Sequence, residues 1–157
     1  MVAVLLNPPS ATAGVRSRNA VARAACAIGY ESVVIANLCA VPTPTVVEVS
    51  SLDRPAWAAA QHNLGLAVDR ADAILAGWGV SGLTGPARRL IDEQVEWLHA
   101  RARNAGIDGF WTVGGQPRHP SRWHQYVSDK YGRTTGGTFE ERIGQALTFV
   151  PLPGFEP

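Results

Sequence analysis

The chain has 157 residues, 46% of them apolar and 17% charged, and carries a formal net charge of +1. That length suffices for one domain with a buried core, and the composition excludes a disordered chain. A charge so near zero also excludes a generally basic surface, so any attraction to nucleic acid has to come from a local patch.

Val2-Ala3-Val4-Leu5-Leu6 is an apolar run without alternation, as expected of a strand covered on both faces, and it stops at Asn7-Pro8-Pro9. The run is far shorter than the ~20 residues that cross a bilayer and lacks the basic leader of a signal peptide. No other segment could span a membrane, and a cytoplasmic protein is expected. Alanine-rich residues from Asn19 to Ile28 form a helix closed by Gly29. Ser32-Val33-Val34-Ile35-Ala36 reads as a second buried strand, ending at Asn37. Asp53 can cap a helix with Pro55 in its first turn that runs to about Arg70. A third strand, Ala73-Ile74-Leu75-Ala76, is closed by Gly77-Trp78-Gly79, and Pro86 opens a long helix ending near Gly106. Phe110-Trp111-Thr112-Val113 is the fourth strand.

Strands alternating with helices imply right-handed crossovers. The expected fold is therefore a three-layer α/β/α sandwich around a four-stranded parallel sheet in the order 2-1-3-4. No repeat or linker interrupts the chain, which gives one α/β domain over 1–157, with a core at 1–133 and a C-terminal helix and Pro-rich tail at 134–157. Thr138 and Glu141 make a capping box for that helix, and Pro151-Leu152-Pro153-Gly154 predicts an irregular end. Cys26 and Cys39 have no metal-type spacing and read as buried thiols in a reducing compartment.

Ligands of open parallel sheets bind beyond the carboxyl ends of the strands. Four loops leave that edge, at residues 7–14, 37–44, 77–85 and 114–123, and they hold most of the unusual side chains. Pro8 and Pro9 stiffen the first loop, which fixes Asn7, while Ser10 and Thr12 follow in the same loop. A rigid amide can orient a water or read a base edge; it can equally satisfy turn backbone. In Gly114-Gly115-Gln116-Pro117-Arg118-His119-Pro120-Ser121-Arg122-Trp123, two prolines bracket an Arg-His pair suited to an anionic or electron-rich group. Downstream, His124, Lys130 and Arg133 interleave with Trp123, Tyr126 and Tyr131, a pattern that can hold flipped or single-stranded nucleotides or simply face solvent.

Gly77-Trp78-Gly79-Val80-Ser81-Gly82 matches GxGxxG in form only. It follows the third strand and no acidic residue stands where the ribose partner belongs, so it reads as a close-approach loop in which Trp78 and backbone amides line a pocket. No phosphate-binding GKS/GKT or GxSxG elbow is present. His62 and His99 lie within helices without a second ligand at metal spacing, so no metal is expected.

The segments Leu5-Leu6-Asn7-Pro8, Asn37-Leu38, Trp78-Gly79 and Pro117-Arg118-His119-Pro120 closely resemble a bacterial and phage family known only by a domain-of-unknown-function label. More distantly, the arrangement is similar to the uracil-DNA glycosylase superfamily. Leu6-Asn7-Pro8 resembles the Ile-Asn-Pro of its mismatch-specific branch, and His119-Pro120-Ser121 the His-Pro-Ser of the loop whose His supports the departing base. Arg122 replaces the proline that usually follows. This resemblance implies an N-glycosylase acting on an unusual or modified base in DNA, or on a nucleotide, with no cofactor. Asn7 and His119 would be its catalytic residues. Pro8, Ser10, Thr12, Asn37, Trp78, Gly79, Arg118, Ser121, Arg122 and Trp123 would bind substrate. The alternative is a non-catalytic nucleotide- or nucleic-acid-binding module on the same fold, linked to phage DNA modification or defence. Either reading expects Asn7, Trp78 and His119 around one pocket.

Overall fold

The computed structural model describes residues 1–9, 14–43, 45–79, 82–127 and 137–154. Ser10 and Thr12, with Lys130, Tyr131 and Arg133 of the basic stretch, lie outside the described residues.

The described residues hold five strands: β1 (Val2–Leu5), β2 (Val34–Asn37), β3 (Ile74–Gly77), β4 (Gly109–Val113) and β5 (Leu147–Pro151). They form one sheet in the order β2-β1-β3-β4-β5. The first four are parallel, and Leu5 stands between Asn37 and Gly77 in register, so the ends of three strands meet at one edge. The fifth strand corrects the four-stranded expectation. β5 runs antiparallel along β4, pairing Leu147 with Val113 and Pro151 with Gly109. An outer strand tolerates Pro151, whose missing donor faces away from a partner, so the prolines limit the strand without forbidding it. The Phe149 ring packs on Trp111, centroids 5.5 Å apart.

Helices cover both faces: α1 (Val15–Ala27), α2 (Val46–Ser50), α3 (Arg54–Asp69), α4 (Gly85–Asn104), α5 (His124–Val127) and α6 (Phe139–Ala146). β1 shows the division, since Val2, Val4 and Leu6 join a core with α3 and α4 while Ala3 and Leu5 join one with α1 and α6. The capping signals act as their chemistry dictates. Asp53 accepts the Ala56 N–H at 3.2 Å, Gly29 adopts φ 86° after α1, and Thr138 and Glu141 form a reciprocal capping box. On the α3–α4 side, the buried Gln94 amide donates to the Leu38 carbonyl at 2.8 Å and the Trp57 carbonyl at 3.0 Å, while its oxygen accepts from Gln61 at 3.0 Å. A satisfied polar clamp of this kind fixes the exit of β2 against two helices.

Two burial expectations fail. β2 is not covered on both faces along its whole length, since Val34 is 60% exposed. Cys26 is exposed, because α1 turns Val21, Ala24 and Ala25 inward and the next position faces out. Cys39 is buried, and burial raises the pKa of its thiol. No helix of the described residues is long and apolar enough to cross a membrane.

Candidate functional site

The loop after β4 is built against the loop after β3. Gly114 and Gly115 take φ of 64° and 72°, turning the chain sharply back, and the Gly114 N–H donates to the Ala146 carbonyl at 2.8 Å. The Gly79 N–H donates to the Pro117 carbonyl, and Gly79 pairs with Arg118 as a short parallel bridge. A Cβ on Gly79 would overlap that carbonyl and approach Arg118 Cα to 2.9 Å. A Cβ on Gly77 would come within 2.7 Å of Leu5 Cδ2 and 3.4 Å of Pro120 Cδ. Gly77 and Gly79 are thus small so that residues 117–120 can lie on them, which is the close-approach role expected of the Gly-Trp-Gly segment. From below, the fully buried Trp123 donates its indole N–H to the Arg118 carbonyl at 2.6 Å. That burial puts Trp123 under the loop as its support, and leaves no ring face for a substrate base.

This scaffold fixes His119. Its Nδ1 accepts the Ser121 backbone N–H at 3.2 Å and lies 2.8 Å from the Ser121 hydroxyl, capping the 3₁₀ turn of Pro120–Arg122. An Nδ1 that accepts a backbone N–H carries no proton, so the neutral ring bears its hydrogen on Nε2 and presents a donor there. Burial lowers the His119 pKa, and the neighbouring Arg122 charge lowers it further, which keeps the ring neutral.

His119 lines a cavity of about 610 Å³ between the sheet and α4. Trp78, Gly79, Arg118 and Arg122 line it too, so five of the sequence-predicted residues converge. Trp78 packs edge-on against Phe110, centroids 5.9 Å apart, giving an aromatic wall. Sequence reasoning passed over Arg88, Asp92 and Phe110 and weighed His99 only as a metal ligand, and all four also face the cavity. With Val95, the three α4 residues follow helical spacing, and Arg88 donates to both Asp92 oxygens at 2.9 and 3.1 Å. The α4 residues lie one position beyond the buried stripe of Ala87, Ile91, Gln94, Leu98 and Ala102, so helical spacing does not set Arg88 and Asp92 apart from ordinary surface residues. His99 packs on Phe110 at 5.2 Å, and burial, then the Arg103 charge, lowers its pKa.

Asn7, Pro8, Asn37, Ser121 and Trp123 are not among the residues that line this cavity. The Asn7 amide nitrogen donates to the Thr43 carbonyl at 2.8 Å and the Pro8 carbonyl at 3.2 Å. Carbonyls only accept, so both amide hydrogens are committed and Oδ1 is left as an acceptor. Nearby in the fold, the buried Asn37 Oδ1 and Thr43 Oγ1 have no hydrogen-bond partner among the described residues. Also among the described residues, no three His, Cys, Asp or Glu side chains cluster as a metal site.

Residues 1–121 match the model of a family described as a protein of unknown function, DUF1643. No curated protein and no solved structure matches the chain.

Proposed function

We propose, for a chain that belongs to the DUF1643 family, that the cavity under His119 binds a nucleobase and that the protein hydrolyses its N-glycosidic bond. The observation carrying this reading is the Ser121 backbone N–H donated to His119 Nδ1, which leaves the donor of a neutral ring at Nε2, beside an aromatic wall and cationic side chains. Departure of a base leaves negative charge on its ring, and a donor fixed in advance stabilises that charge as it develops. Asn7 supplies the complementary group, because an amide oxygen with both hydrogens committed can hold a water but cannot take its proton. Water therefore adds to a sugar carbon from which the base is already departing. Its hydroxyl goes to C1′, the C1′–N bond electrons leave with the base, and a proton from solvent completes the free base. The remote resemblance to the uracil-DNA glycosylase superfamily supports the same roles for Asn7 and His119.

The position of Asn7 outside the cavity lining favours a second reading, a module that binds a base without cleaving it. One experiment separates them. The protein is incubated with nucleosides, nucleotides and oligonucleotides carrying varied bases, and released base and abasic sites are measured by mass spectrometry. Hydrolysis predicts base release, with His119→Ala slowing the single-turnover rate by ~2–4 kcal/mol of barrier while binding persists. Binding without release from any substrate would leave the module.

A further inference from the structure

We infer that the ligand of this cavity is a free nucleoside 5′-monophosphate, held whole, rather than a base flipped out of a polynucleotide. The inference rests on the base-binding reading above and names its substrate class. Size is the first argument. A cavity of about 610 Å³ matches sites that enclose entire drug-sized ligands, and one nucleobase would leave much of it unfilled. Chemistry is the second. The lining offers an aromatic wall, Trp78 and Phe110, and two guanidinium side chains from one loop, Arg118 and Arg122. Stacking surface suits the base, and a guanidinium fork suits a terminal phosphate with its full set of oxygens.

The third argument is what surrounds the cavity. A polynucleotide is bound through many phosphates and needs a continuous basic track. Here Arg23, Arg54, Arg88 and Arg101 are each held by a carboxylate, from Glu140, Glu93, Asp92 and Asp69 respectively. The exposed face of α4, the helix that walls the cavity, mixes Asp92, Glu93 and Glu96 with Arg88 and Arg89 and is no continuous basic track. A strand crossing α4 would meet these ion pairs, whereas a single phosphate inside the cavity would meet Arg118 and Arg122 beside the Arg88–Asp92 pair. Hydrolysis of such a ligand would consume one water and give the free base and the ribose or deoxyribose 5-phosphate.

The test is calorimetric titration of the full chain with adenosine, guanosine, cytidine, uridine and thymidine, their 5′-monophosphates, and a mixed-sequence single-stranded oligonucleotide. At least one monophosphate should bind ten times more tightly than its own nucleoside, and inorganic phosphate should compete with it. Arg122→Gln, at an exposed position, should remove most of that tenfold ratio between monophosphate and nucleoside. A nucleoside that binds as tightly as its monophosphate would overturn the inference while leaving the base-binding reading intact. So would an oligonucleotide that binds tenfold more tightly than any monophosphate, with a steep dependence on salt. If no base-bearing ligand binds, the reading of the site fails and this inference with it.

Discussion

Substituting Gly79 by alanine tests whether the loops after β3 and β4 form one unit. A Cβ there would overlap the Pro117 carbonyl oxygen and stand 2.9 Å from Arg118 Cα and 3.0 Å from the Pro117 carbonyl carbon. All three are backbone atoms, so no rotamer change relieves the contact and residues 117–118 must move. Overpacking of this kind costs ~1–3 kcal/mol. Moving Pro117 also weakens the Gly79 N–H bond to its carbonyl, worth ~1 kcal/mol. Together these predict a loss of roughly 2–4 kcal/mol, a large share of a small domain's stability. Gly65→Ala is the opposing control. Its Cβ would meet Trp97 Cη2 at 3.6 Å, an ordinary contact, in the interior of α3. Alanine should there add ~0.5–1 kcal/mol through helix propensity. Urea denaturation reads both, as midpoints moving in opposite directions at constant slope. Because His119 is two residues past Pro117, its ring resonances should shift in Gly79→Ala and stay put in Gly65→Ala. A Gly79→Ala protein within ~0.5 kcal/mol of the parent, with unshifted His119 signals, would refute the coupling of the two loops.

Two further predictions concern the same loop. His119 has a folded pKa below its ordinary 6.5, so the unfolded chain takes up the proton first as pH falls. Its contribution to stability is complete above about 6.5 and is lost as pH drops through the depressed folded value; a ring titration by NMR shows the midpoint directly. Arg122→Gln should raise that midpoint but leave it below 6.5, because burial is the larger cause, and a midpoint that does not move would remove Arg122 from the account. Trp123→Phe should cost ~1–3 kcal/mol through the lost bond to the Arg118 carbonyl and a smaller ring in a fully buried place. Unchanged stability with lost ligand binding would instead make Trp123 a stacking platform.

The core strands were legible because they are apolar, short and bounded by Gly, Pro and Asn, and each lies within about two residues of its expected limits. β5 was not, because Leu147–Pro151 leaves four of its five residues exposed and ends on proline, so neither a buried run nor a clean alternation marks it. β2 lies at the sheet edge, as the expected order 2-1-3-4 requires, but it is less buried than expected: Val34 and Ile35 are apolar, and composition does not show that Val34 faces solvent. Cys26 illustrates the same limit on a helix, where one position along an alanine-rich stretch separates Ala25 at 1% exposure from an exposed thiol.

The site was legible as a set of segments, and the relation between them was not. Gly77-Trp78-Gly79 and Pro117-Arg118-His119-Pro120 are each unremarkable as isolated motifs. They belong together because the glycines leave room for the prolines: Pro117 rests on Gly79 and Pro120 on Gly77, and His119 is carried between them. That pairing explains why the glycine pattern resembles a nucleotide fingerprint without being one, since its backbone amide at Gly79 is spent on Pro117 rather than offered to a phosphate. The same reasoning divides the polar residues at the sheet edge. Trp78, Arg118, His119 and Arg122 share the cavity because they flank this joint, over β3 and β4. Asn7 and Asn37 sit at the ends of β1 and β2, where Thr43 fixes the Asn7 amide. The two groups therefore stand over different strand ends of the same sheet edge, and the cavity takes in the first alone.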